Sequence, residues 1–299
     1  MLNSNTGPCI PNRCKNGGSC MRDTRKENGF TCVCVNDFEG EFCEMEKDVY
    51  LSCSEAKRRN SSLQDGVYRI RVNTNSGYIR MYCHMSRLKG CEGSGWTMVM
   101  KIDGTKTTFD YNSQLWLNMK SYNAEGGVTG FDYNETKLPT FWSTPAKRIC
   151  LGMSSGNTTK FQSFSLYYGG NLFHPLYDFF VDETFRNVHL NLQKWRDLIV
   201  NSSIKEKCSR GGFNVKADKR PAPYAKVRLG VIGNDENHLV TPTSWLGFGG
   251  QWDWSPPCIR HNRTSPNPIG LPVCGNVDKC NNNINNDRII PAMGYILVR

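Results

Sequence analysis

The sequence predicts an α+β chain in two parts: a small disulfide-rich β module, then a much larger domain of mainly antiparallel strands and short helices. Three observations carry this. Six of the fourteen cysteines fall within the 35 residues from Cys9 to Cys43. Beyond them, short runs such as Val67-Tyr68-Arg69-Ile70, Ile79-Arg80-Met81-Tyr82 and Trp96-Thr97-Met98-Val99 mix β-branched and aromatic residues between Gly, Asn or Ser, the mark of strands and hairpins. One stretch, NLQKWRDLIV, sets Leu192, Trp195 and Ile199 at helical spacing, which predicts an amphipathic helix near residues 190–200. A chain of 299 residues with 38% hydrophobic and 11% aromatic content can bury a core. Its 21% charged content argues against wholesale disorder. No apolar run reaches the length of a membrane span.

Taken in order, residues 1–8 form a polar stub. The segment 9–43 is too short to fold on its own apolar surface, and three bridges would supply roughly 2–4 kcal/mol each. A zinc site would want paired Cys-x2-4-Cys spacings with His, and no His lies there. The spacing, ending in Cys32-x-Cys34-x5-Gly40-x2-Cys43, resembles an epidermal-growth-factor-like (EGF-like) module. That resemblance implies the bridges Cys9–Cys20, Cys14–Cys32 and Cys34–Cys43, with Gly40 in a positive-φ turn. It implies no calcium site in the module, because Asn5-Thr6-Gly7-Pro8 stands where calcium-binding members carry acids. It also makes Ser19 a candidate O-fucose acceptor, with an exposed loop serine as the equal alternative. Residues 44–52 read as a short acidic linker, too short to act as a flexible tether.

The second domain, 53–299, opens with Cys53, then Gly66-Val67-Tyr68, then Tyr82-Cys83-x-Met85, then Gly95-Trp96-Thr97. This order resembles the start of a fibrinogen C-terminal-like domain, and a Cys53–Cys83 bridge would tie the first hairpin to the domain entrance. Farther on, Ser113 is placed to cap a brief helix at Gln114-Leu115-Trp116. Val227–Ile232 and Gly294–Val298 read as buried strands. The blocks FDYNSQLWLNMKSYN, NETKLPTFWSTPAKRICLGM, GGFNV, RLGVIGNDEN, LGFGG and AMGYILVR resemble a cnidarian branch of extracellular proteins that occurs in the skeletal organic matrix of stony corals. Cys91, Cys150, Cys208, Cys258, Cys274 and Cys280 admit 15 connectivities, with local closure expected among the last three.

Fourteen cysteines in an even count point to an oxidising compartment. Five sequons, at Asn60, Asn134, Asn157, Asn201 and Asn262, agree with secretion and a glycoprotein. The opening MLNSNTGPC carries no apolar leader, so the sequence reads as a fragment or mature form of a secreted chain. The net charge is +10, and residues 53–299 hold 31 basic against 19 acidic groups, which favours acidic partners. Nucleic acid is not expected of a secreted chain.

Eight cations between residues 205 and 228 (Lys205, Lys207, Arg210, Lys216, Lys219, Arg220, Lys226 and Arg228) form a candidate basic surface for acidic or sulfated matrix macromolecules or glycans; a solvated face is the alternative. Asn234-Asp235-Glu236-Asn237 is either a calcium loop, with Asp253, Asp278 or Asp287 completing a shell, or a polar turn. Trp245, Phe248, Trp252 and Trp254 crowd around glycines and are expected in the core, with one open to sugar stacking. Gly152-Met153-Ser154-Ser155-Gly156 matches the GxSxG pattern, but the polar residues after it argue for a turn rather than a nucleophile elbow. The five histidines show no metal-ligand spacing. The expectation is a non-enzymatic, secreted structural and adhesive protein of a biomineral matrix. A calcium-dependent lectin is the second reading, and an extracellular hydrolase the third.

Overall fold

The structure is a computed structural model, and it describes residues 7–35, 38–72, 77–166, 173–188, 190–218, 225–252, 271–278 and 288–299. The sequon at Asn262, the cations Lys219 and Arg220, Trp254, Asp253, Asp287, Cys258 and Cys280 lie outside these residues. The chain divides into two compact units, 1–50 and 51–299. It is mostly β-sheet, with few helices and several disulfides.

The first unit has little core, and covalent links hold it. Strands β1 (Ser19–Arg22) and β2 (Phe30–Val33) pair antiparallel, with Cys20 opposite Cys32. The strands β3 (Phe38–Glu39) and β4 (Met45–Glu46) pair likewise, and β5 (Val49–Tyr50) closes the unit. Disulfides join Cys9 to Cys20, Cys14 to Cys32 and Cys34 to Cys43. Gly40 has φ of 101°, a conformation that costs a side-chain-bearing residue and is open to glycine. Ser19 is exposed at the head of β1.

The second unit starts with helix α1 (Cys53–Arg59). Ser52 caps it, its Oγ accepting from Glu55 N at 3.1 Å. Strands β6 (Gly66–Arg71), β7 (Tyr78–His84) and β8 (Trp96–Asp103) follow. The two-residue strand β9 (Thr136–Lys137) pairs with β8, and a one-turn helix α2 (Thr140–Ser143) comes next. Then come β10 (Arg148–Ser155) and β11 (Thr158–Ser165). With the terminal strand, they make one antiparallel sheet. The other sheet takes β12 (Arg186–Asn187), β13 (Cys208–Val215), β14 (Ala225–Asn234), β15 (Ser244–Trp252), β16 (Cys274–Asp278) and β17 (Arg288–Pro291), side by side in that order. Helix α3 (Leu192–Arg196) precedes β13, and β18 (Met293–Val298) ends the chain between β10 and β8. Within the second unit the strands of the first sheet run in the order β11-β10-β18-β8-β7-β6.

One core unites the sheets: Val99, Ile149 and Ile296 of the first belong to the same buried cluster as Phe213, Leu229 and Phe248 of the second. Trp116, Phe180 and Trp195 fill it between strands. β8 is buried along seven of its eight residues, which is why its sequence reads apolar without alternation. A second cluster holds Val227, Trp245 and Val277. Gly250 makes room for Trp245, because a Cβ there would stand 2.2 Å from the indole. Gly95, at φ of 74°, lets β8 meet the start of α1, where a Cβ would press on Cys53 O at 2.8 Å.

The expected helix at 190–200 shrinks to five residues. Ile199 and Leu198 still bury, but in turns rather than in a helix. Five residues bring little helix stability of their own, so tertiary burial of Trp195 holds the piece in place. Disulfides join Cys53 to Cys83 and Cys91 to Cys150. Cys208 and Cys274 are free thiols. The expected local closure therefore does not involve Cys274, which is sealed under β18, with its thiol 2.5 Å from where a Cβ on Gly294 would lie. Among the described residues no helix is long and apolar enough to cross a membrane.

Candidate anion-binding cleft

Among the described residues of the basic stretch 205–228, the cations do not share one exposed surface. Lys205, Lys226 and Arg228 are buried. Strand β14 is buried along its whole length, so Lys226 and Arg228, two residues apart on one face of it, both turn inward onto the Tyr111 ring. Lys205 pairs with Asp235 at 3.0 Å and Asp278 at 3.5 Å. Lys226 donates to Asn112 Oδ1 at 3.0 Å. The Arg228 guanidinium lies 4.2 Å from the Tyr111 ring centroid and donates to Tyr111 O, Asn214 Oδ1 and Glu183 Oε1. Arg210 is half-buried, paired with Asp218 and stacked on Phe185. Lys207 and Lys216 remain exposed.

The acidic loop does not converge either. Asp235 turns to Lys205, and Glu236 pairs with His238 at 2.8 Å. Asn237 is exposed, and the Asn234 carboxamide is spent on His238 O and Asp235 N. Among the described residues no three acidic, His or Cys groups gather as metal ligands. Trp245 and Phe248 are core residues. Ser154 lies inside β10, buried, its Oγ accepting from Thr159 across the hairpin at 3.0 Å. A strand follows it, not a helix, so the hydroxyl is not held on an elbow.

His84 has neighbours that the sequence spacing did not reveal. Its Nδ1 lies 3.2 Å from Asp65 Oδ2 and 3.0 Å from Tyr82 OH, and its Nε2 lies 3.2 Å from Ser86 Oγ. This looks like a Ser-His-Asp relay, but the geometry excludes one. The two ring nitrogens point away from each other, so in-line partners must stand well apart. Asp65 Oδ2 and Ser86 Oγ instead bond each other at 2.9 Å. Burial against Phe131 holds the imidazole below its ordinary pKa despite the attraction of Asp65. The same burial pushes Tyr82 up to about 12. The cluster fastens the end of β7, where Asp65 also accepts from Met85 N and Ser86 N.

The cations that do share a surface come from three distant stretches. A cleft of about 700 Å³ is lined by Lys57 and Arg58 of α1, by Lys147 and Arg148 at the start of β10, and by Arg299, with Glu55 and Phe173 beside them. Both walls are built by backbone and covalent contacts. On one, the Cys53–Cys83 bridge and the Cys53 N–H to Thr97 Oγ1 at 3.0 Å pin α1 to β7 and β8. On the other, Lys147 N and Arg148 N both donate to Arg299 O, at 2.8 and 2.9 Å. Arg299 Nε donates to Ser94 O at 2.9 Å.

The charges in this cleft are poorly neutralised. Lys57 Nζ donates to the carbonyls of Ser61 and Leu63, at 2.6 and 2.8 Å. Lys147 Nζ sits 4.4 Å from the Phe173 ring centroid. Arg148 meets Glu92 at 2.9 Å, while its buried Nε has no partner. Glu55, the acid at the rim, is engaged by Arg59 and Leu51 N. Among the described residues no carboxylate pairs with Lys57, Arg58, Lys147 or Arg299. Clustered like charges around a concave, partly apolar wall focus field onto an incoming anion. In the sequence they show only as Lys57-Arg58-Arg59 and Lys147-Arg148, nearly ninety residues apart.

Other lysines are sequestered. Lys137 is fully buried, its Nζ donating to Asn118 O at 2.5 Å and lying 4.8 Å from the Phe141 ring centroid. Burial brings its pKa from 10.5 down to about 7. In the unfolded chain the amine stays protonated up to its ordinary value. Between pH of about 7 and 10.5 the unfolded state thus binds more protons, and stability rises with pH. Below pH 7 the burial cost stands in full. Lys137→Met is expected to flatten this alkaline rise in urea midpoints measured from pH 7 to 10. An unaltered slope would mean that the buried amine keeps its proton.

No protein-family model matches the chain. A Cubilin homolog from Caenorhabditis elegans is 29% identical over 117 aligned residues, which cover 35% of this chain. The chain spans about 3% of the length of that relative.

Proposed function

We propose that this chain is a secreted, non-enzymatic structural and adhesive protein of an extracellular matrix, which binds acidic or sulfated macromolecules in the cleft between α1 and the start of β10. The observation that carries this is four cations on one concave surface without carboxylate partners among the described residues. Five disulfides among the described residues support an extracellular location, since such bridges persist in oxidising compartments. In this reading the first unit is an EGF-like module and the second a fibrinogen-like domain, on the cysteine spacing and the Gly-Val-Tyr, Tyr-Cys-x-Met and Gly-Trp-Thr blocks. The resemblance to stony-coral proteins makes the organic matrix of a biomineral the proposed setting. The basic domain would there bridge acidic matrix polymers rather than gather calcium ions itself.

Binding to heparin, a soluble sulfated polymer, tests the reading. Calorimetry should give saturable binding that weakens steeply as salt rises from about 0.05 to 0.5 M, because added salt shortens the screening length. Binding that ignores salt, or no binding at the low-salt end, would sink it.

A further inference from the structure

We propose that an N-linked oligosaccharide on Asn60 stands at the mouth of this cleft and lowers its affinity for polyanions. The inference rests on the cleft being the polyanion site, and adds its regulation.

Asn60 closes α1: its backbone N–H donates to Ala56 O at 2.9 Å. Its side chain is exposed and already oriented. Oδ1 accepts from Ser62 N at 3.0 Å and from Ser62 Oγ at 2.6 Å, an Asx turn that faces the carboxamide oxygen toward the chain. Nδ2, the atom that carries a glycan, is left with no hydrogen bond among the described residues. The Asn134 sequon differs, for its Nδ2 donates to Asp132 Oδ2 at 2.5 Å. The residue after Asn60 is already part of the cleft wall: Ser61 lines it, and its carbonyl takes the Lys57 ammonium. Arg58, two residues before, lines it too. A glycan is bulky and stays in solvent, so from this stem it occupies the approach to Lys57 and Arg58 that a polymer must use.

In the transfer the Nδ2–H bond breaks and an Nδ2–C1 bond forms to the sugar. The C1–O bond to a lipid-pyrophosphate donor breaks, the pyrophosphate leaves with the electron pair, and the proton passes to solvent.

The test compares the full chain, secreted from eukaryotic cells, with Ser62→Ala, which removes the sequon and keeps Asn60, with Asn60→Gln, and with Asn157→Gln. Asn157 follows the far end of β10, and eight residues at about 3.3 Å each put it about 25 Å from the Arg148 end. Intact mass reads occupancy, and calorimetry reads heparin affinity at about 0.15 M salt. The expected result is an occupied Asn60 in the parent, about tenfold tighter binding in both Ser62→Ala and Asn60→Gln, and no change in Asn157→Gln. An unoccupied Asn60, equal affinities in all four proteins, or the same gain in Asn157→Gln overturns the proposal and leaves the cleft reading standing. Absence of heparin binding in all four overturns the cleft reading itself.

Discussion

The Arg58→Glu, Lys147→Glu double variant is expected to lose about ten- to a hundredfold in heparin affinity at physiological salt, with its unfolding midpoint unchanged. Arg58 and Lys147 both line the cleft, both are exposed, and no carboxylate pairs with either among the described residues. Reversing them removes two attractions and adds two repulsions at the same place. Exposed charges contribute little to folding, so stability should be spared. The informative partner is Lys207→Glu, Lys216→Glu. It changes net charge by the same amount, on the stretch that looks most basic in the sequence. If polyanion binding merely follows net charge, the two variants fall together. Loss confined to the first pair, read by calorimetry in parallel salt series, assigns the binding to the cleft. Equal loss in both would refute the assignment.

Arg228→Met is expected to destabilise the fold by about 3 kcal/mol, measured as a shift in urea midpoint at constant slope. Arg228 is 1% exposed, stacked on Tyr111, and holds Tyr111 O, Asn214 Oδ1 and Glu183 at once. Methionine restores much of the volume but takes the guanidinium's hydrogen bonds away from the Tyr111 carbonyl and the Asn214 oxygen in a buried site, and losses of this kind cost about 1–3 kcal/mol each. Glu183 is half-exposed and can rehydrate, which limits the loss. Lys207→Ala, three residues from Arg210 on the same stretch and exposed, should shift the midpoint by no more than about 0.5 kcal/mol. A neutral Arg228→Met would mean that the guanidinium is dispensable to packing.

Strand identity was legible because it is local. The runs at 67–70, 79–82, 96–99, 227–232 and 294–298 all lie inside observed strands. β-branched and aromatic residues bounded by turn formers need no distant information to declare themselves. The helix at 190–200 was overread, because period alone cannot say how many turns the surrounding core will hold. The burial of Trp245 and Phe248 was also legible, since large aromatics beside glycines pack where a Cβ would clash.

The site was not legible, and the reason is geometric. By itself the sequence determined the count and spacing of cysteines, the excess of cations after residue 53 and the positions of the sequons. It did not determine which cations face solvent. β14 is buried along its whole length, so Lys226 and Arg228 go inside; they and Lys205 are taken up by partners far away in the chain, while Lys207 and Lys216 stay exposed. Only the tertiary structure brought Lys57 and Arg58 to Lys147, Arg148 and Arg299, because α1 is bridged to β7 and the last strand inserts beside β10. Charge is a property of composition, whereas a cleft is a property of strand order, and strand order is set by long-range pairings that no local window contains.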